Sequence, residues 1–146
     1  MKVRKRFVFF FLASVALFVG LVFTAVSVID SPAKMQLRKN DSKRISDLKE
    51  VANILLDHHR EGKALAENIA EATKSNSTRN FMRDLVSDEL YDYRRISEYA
   101  FELCANFETS NIDYGNYQSF YFANKPMNLG HSKGKYCFDF DVREGD

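Results

Sequence analysis

The stretch Tyr99-Ala100-Phe101-Glu102-Leu103-Cys104-Ala105-Asn106-Phe107 decides the fold. Tyr99, Phe101, Leu103, Ala105 and Phe107 alternate with Ala100, Glu102, Cys104 and Asn106. A period of two, rich in aromatics, predicts a β-strand with one buried face. Two neighbouring stretches share that period. Upstream, Tyr91, Tyr93 and Arg95 alternate with Asp92, Arg94 and Ile96, and Ser97 marks a tight turn. Downstream, Tyr136, Phe138, Phe140 and Val142 alternate with Cys137, Asp139, Asp141 and Arg143. Residues 108–135 form a long connection rich in Asn, Gly, Ser and Tyr, within which residues 119–123 offer one more short strand. The expectation is a small antiparallel sheet of three or four strands.

A sheet with one apolar face needs a cover, and the sequence supplies it. Ile45, Leu48, Ala52 and Leu55 fall at spacings of three, four and three, flanked by Val51, Ile54 and Leu56. This is one face of an amphipathic helix. Ser31 is a capping residue and Pro32 suits the first helical position, where a missing N–H costs nothing. Glu61-Gly62 marks the helix end. Residues 34–44 hold only Met35 and Leu37 as apolar members and read as a solvated stem. Leu65, Ile69 and Ala72 predict a short helix over residues 64–73. Residues 74–78 read as a polar linker, and residues 81–86 as a further helical turn or two.

Ahead of this domain, residues 7–29 contain no charge, and Lys2, Arg4, Lys5 and Arg6 stand just before them. As a helix the run reaches about 34 Å, enough for a bilayer core of about 30 Å. It is longer than a signal-peptide core of about 7–15 residues, so it reads as an uncleaved transmembrane anchor. Arg4-Lys5-Arg6 favours a cytoplasmic amino terminus, whereas Lys34, Arg38, Lys39, Lys43 and Arg44 pull the other way. Asp30 and the cysteines favour the first orientation. The expected organisation is therefore a basic tip and anchor over residues 1–29 and an extracytoplasmic α+β domain over residues 30–146. The anchor helix is expected to continue into the amphipathic one. Beyond the anchor, 17 Lys and Arg stand against 20 Asp and Glu, so no strongly basic surface remains and nucleic acid is not an expected partner.

Cys104 and Cys137 each lie opposite the apolar face of their strands. If the two strands pair with apolar faces together, both thiols project from the same side and a cross-strand disulfide follows. It would close a loop of about 34 residues, worth roughly 3–4 kcal/mol in the chain-entropy model. Such a bond needs an oxidising compartment.

These elements resemble the type IV pilin and type II secretion pseudopilin architecture, in which an apolar amino-terminal helix leads into an amphipathic helix packed on a small antiparallel sheet. Arg44-Ile45-Ser46-Asp47-Leu48 with Gly62 is similar to the helix and helix end of such domains. Leu90-Tyr91-Asp92-Tyr93-Arg94 is similar to their first strand. The segment from Phe101 to Phe107, with His131, Gly134 and Cys137-Phe138, resembles small bacterial membrane-anchored proteins with a pseudopilin-like ectodomain. The resemblance implies an inner-membrane protein with a periplasmic domain. Arg6 rather than Gly precedes Phe7 and no Glu lies in the apolar run, so the processing signal of a prepilin is missing.

For chemistry the sequence offers little. His58 and His59 are adjacent on a helix and point about 100° apart, away from one metal. His131 reads as a packing or hydrogen-bonding residue. No nucleophile–base pair, zinc signature or phosphate loop occurs, which points to a non-enzymatic protein without a cofactor. Asp139, Asp141 and Asp146 are weak candidates for calcium, a hard cation that takes oxygen ligands. Tyr114, Tyr117, Phe120 and Tyr121, with Phe122, crowd one connection and are candidates for partner binding, or for a lid folded over the sheet. The functional expectation is an interaction or scaffold domain tethered to the lipid bilayer, with protein partners reached through the ectodomain or the anchor helix. The competing expectation is a tethered ligand-sensing module, which an aromatic pocket would favour and a sheet fully covered by the helix would oppose.

Overall fold

The computed structural model describes residues 2–28, 31–74, 76–112 and 119–143. The chain divides into two compact units, residues 1–35 and residues 36–146. The first holds helix α1 (Lys2–Val28) and the start of α2 (Pro32–Arg60). In α1 the described side chains are those of residues 8–22 and 24, and all of them are exposed. Among the described residues no helix is long and apolar enough to cross a membrane. The start of α2 follows the expected capping chemistry, with the Lys34 amide donating to the Ser31 hydroxyl at 3.3 Å.

The second unit is α+β. Strands β1 (Asp92–Arg95), β2 (Ala100–Phe107) and β5 (Gly134–Asp141) form a three-stranded antiparallel sheet in the order β1-β2-β5. Its inner face carries Tyr93, Phe101, Leu103, Ala105, Phe107, Phe138 and Phe140, all buried. They share one core with Ile45, Leu48, Val51, Ala52, Leu55 and Leu56 of α2. The stripe read from the sequence is therefore the surface that covers the sheet. At its end α2 closes as expected on Gly62, whose φ of 78° suits a residue without a Cβ. Lys63 N–H donates to the His58 carbonyl and Gly62 N–H to that of His59, a Schellman cap.

Three local expectations are corrected. The helix expected over residues 64–73 shrinks to one turn, α3 (Ile69–Ala72), because the Asn68 side chain caps it late, and Leu65 and Ala66 are buried ahead of it, outside any helix. The polar linker of residues 74–78 is instead partly helical, in α4 (Asn76–Phe81). Beyond it, residues 85–87 form a turn rather than a continuing helix, since the Asp84 carboxylate accepts from the amides of Val86 and Ser87 at 2.8 and 3.0 Å.

In the long connection, β3 (Ser119–Phe122) pairs with β4 (Lys125–Asn128) in a separate two-stranded sheet. Ala123 and Asn124 both have positive φ, 48° and 62°, as a two-residue type I′ hairpin turn requires. Phe122 packs from this hairpin against Phe101 and Phe140, with ring centroids 6.1 and 5.1 Å away.

Candidate functional site

The outer face of the three-stranded sheet carries the polar halves of the alternating patterns. Cys104 and Cys137 are directly opposite in the β2–β5 register and form a disulfide across a Cα separation of 4.0 Å. Around it lie Asp92 and Arg94 of β1, Glu102 and Asn106 of β2, and Lys135, Asp139 and Asp141 of β5. Arg94 bonds Glu102 at 3.0–3.1 Å, and Lys135 pairs with Asp92 across β2. A Glu102 oxygen and both sulfurs lie within 4.8 Å of one another. With the sulfurs bonded to each other they are not thiolates, and no metal centre follows from this group.

The calcium candidates separate. Asp139 is exposed and faces Glu102 across the ladder. Asp141 is held by its neighbour, for Arg143 donates its backbone amide and Nε to the carboxylate at 2.9 Å. That charge-assisted pairing lowers the Asp141 carboxyl to about 2. Asp146 lies outside the described residues. A cation at Asp141 would have to displace a guanidinium already satisfied there.

The aromatic candidates divide too. Tyr114 and Tyr117 lie outside the described residues. Phe120 is half-buried, with the Lys49 ammonium 5.5 Å from its ring centre. Tyr121 is 70% exposed and Phe122 is buried. Strand alternation sends these neighbours to opposite sides, so the hairpin puts Phe122 into the core as a lid while presenting Tyr121 outward. The histidines carry no shared site. His59 packs edge-on against Tyr99, and His131 is buried and stacked on Phe107 with ring centroids 3.7 Å apart. Burial lowers the His131 pKa below its ordinary value.

Sequence reasoning missed the most organised polar group of the domain. Arg44 is 5% exposed and Asp41 3% exposed, in the region read as a solvated stem. Arg44 NH1 donates to Asp41 at 2.8 Å and to Glu108 at 3.2 Å, and its other edge forks onto Asp84. Asp41 in turn accepts from the amides of Glu108 and Thr109, at 2.9 and 2.7 Å, and from the Thr109 hydroxyl. One turn further along, buried Asp47 pairs with Lys43 and accepts from the Tyr91 hydroxyl at 3.3 Å. Burial alone would favour a neutral Asp84, but the Arg44 bond and the Ser87 and Val86 amides outweigh it and hold the carboxyl below its usual range. Burial also opposes the Arg44 charge, and its three carboxylate partners reverse that and raise its pKa. Burial, then Asp47 and Asp84, push the Tyr91 phenol upward. The signal was present in the sequence: Asp41 and Arg44 extend the stripe of Leu48, Val51 and Leu55 at helical spacing, so the buried face of α2 begins with charges.

Ahead of β1 the chain has not yet joined β2, and a cleft of about 280 Å³ opens there beside the second half of β2. It is lined by Asp84, Tyr91, Asp92, Asn106 and Lys135 among others. Its walls mix both signs of charge and include none of the three histidines. Comparison with family models, with curated proteins and with solved structures finds no match for this chain.

Proposed function

We propose that this chain is a non-enzymatic, single-pass membrane protein. Its extracytoplasmic domain, pseudopilin-like in architecture, serves as an interaction or scaffold module. In a bacterial cell that places the anchor in the inner membrane, with a cytoplasmic amino terminus and a periplasmic domain. The observation that carries the reading is the contrast between the two units. The second closes its own apolar core, whereas in the first Phe9, Phe10, Phe11, Leu17, Phe18 and Leu21 all expose more than half of their surface. A helix that is apolar on all sides is a liability in water and is matched by lipid. Ser14 and Thr24, the hydroxyl side chains described in α1, donate to the carbonyls of Phe11 and Leu21 at 2.9 Å, which satisfies them without water. The uncharged run of residues 7–29 behind its four basic residues supports the same reading.

The disulfide supports an oxidising compartment. The covered inner face of the sheet supports a scaffold over a sensor, since the aromatic rings are spent on the core.

The test is thiol labelling in intact cells with a membrane-impermeant, mass-shifting maleimide, alongside carbonate extraction of membranes. The expected result is full-length protein in the carbonate-resistant pellet, with Cys104 and Cys137 labelled only after reduction. Carbonate-soluble protein, or thiols that react without reductant only after lysis, overturns the reading.

A further inference from the structure

The sheet has two edges of unequal length. β1 is four residues long, but β5 runs for eight, without proline, and its outer edge meets no other strand among the described residues. The register says which groups that edge presents. The 4.0 Å Cα separation of Cys104 and Cys137 marks a pair that does not exchange hydrogen bonds. Tyr136, Phe138 and Phe140 therefore bond to β2, and the N–H and C=O groups of Lys135, Cys137, Asp139 and Asp141 point away from it. No backbone bond to these four outward residues exists among the described residues. An edge of this length and regularity is a template for another strand.

The charges on β5 select the partner. Lys135 stands at its start, and Asp139 and Asp141 stand towards its end, all on the outer face. Asp139 faces the like charge of Glu102 and has no cationic partner among the described residues. A second β5 laid parallel would set Lys against Lys and Asp against Asp. Laid antiparallel about a two-fold axis at Cys137, it sets Lys135 against Asp139 of the other copy, twice. The same register pairs the outward backbone groups of one strand with those of the other.

We propose that the β5 edge is a self-association surface, at which two copies of this chain join antiparallel, β5 to β5, into one six-stranded sheet. This deepens the interaction reading by naming the partner as a second copy. It does not depend on the membrane anchor, because the contact lies wholly within the second unit. Lys135 would exchange its pairing with Asp92, which is itself 62% exposed, for Asp139 of the second copy.

The test uses the full chain in detergent micelles, with mass measured by light scattering and sedimentation over a dilution series. The wild type is expected to dimerise. Lys135→Glu and Asp139→Lys each place like charges opposite twice, and each is expected to weaken the dimer roughly tenfold or more. Mixed together, the two variants restore both opposite-charge pairs and are expected to form a heterodimer. Asp139→Pro blocks an outward N–H while sparing the bonds to β2, and is expected to abolish association with the disulfide still formed. A monomeric wild type overturns the proposal. So does a dimer indifferent to all three substitutions, which would instead place association elsewhere, for example in α1. Neither result touches the membrane reading, which stands or falls on carbonate extraction and labelling.

Discussion

Within the second unit, helix α2 is held by two different chemistries. From Leu48 to Leu56 it buries aliphatic side chains against the phenylalanines of the sheet. From Asp41 to Asp47 it buries charges, tied to Asp84, to Tyr91 and to residues 108–109. The apolar half is non-directional, and its contribution scales with the area removed from water. The ionic half is directional: each carboxylate has a stated set of donors, and removing one member leaves the others buried and unmatched. The first half supplies adhesion. The second fixes how far along the sheet the helix sits, since a shift of one residue would separate Arg44 from Asp84 and Glu108, and Asp41 from the amides of residues 108 and 109.

The comparison can be broken most forcefully at Phe101, which is fully buried between Tyr93, Phe122 and Phe140. Phe101→Ala is expected to cost about 3–5 kcal/mol in chemical denaturation, with little dependence on pH. Next comes Arg44→Ala, expected to cost about 3 kcal/mol at neutral pH by leaving Asp41 and Asp84 without their cation. Its signature is that the deficit narrows in acid, as the Asp84 carboxylate takes up its proton, whereas the Phe101→Ala deficit does not. Equal behaviour of the two variants in acid would remove the distinction between the halves.

Titration of the unaltered chain gives a smaller effect with a definite sign. His131 and Asp84 both have folded pKa values below their ordinary ones. The unfolded chain therefore binds more protons, and stability falls as pH falls. The His131 contribution is complete above its ordinary value of 6.5 and is lost as pH drops below it. The Asp84 contribution is complete above 3.8 and is lost in stronger acid. Denaturation midpoints measured from pH 8 to pH 3 are expected to decline in two stages, and a flat profile would contradict both assignments. The smallest effects belong to single contacts. Tyr91→Phe removes one buried hydroxyl and is expected to cost about 1 kcal/mol. Arg94→Ala, at an exposed pair, is expected to stay within about 0.5 kcal/mol of wild type by the same assay.

The apolar half was legible because its signal is local. Ile45, Leu48, Ala52 and Leu55 announce a face whatever lies opposite, and the alternation of residues 99–107 and 136–142 announces strands. The disulfide followed from those two patterns, because pairing faces sets the thiols on one side. The ionic half was not legible as such. Asp41, Arg44 and Asp84 have the composition of solvated surface, and what buries them is a set of partners 40 to 68 residues away. The β3–β4 hairpin was half seen. Ser119–Phe122 read as a strand, but Lys125–Asn128 contains Pro126, which is tolerated because this two-stranded sheet consists only of edges. Its turn places Ala123 at positive φ where Asn or Gly is usual, so no turn signature marked it.

The reach of Asp41 bears on time as well as on energy. Its carboxylate holds the amides of residues 108 and 109, so it engages only once β2 has been laid along the helix. A contact that closes so long a stretch of chain rewards folding late. Arg44→Ala is therefore expected to accelerate unfolding while leaving the refolding rate nearly unchanged, a difference the two arms of a denaturant-dependence plot would show. The buried charges then act as a latch: they govern how long the domain stays closed after it has closed.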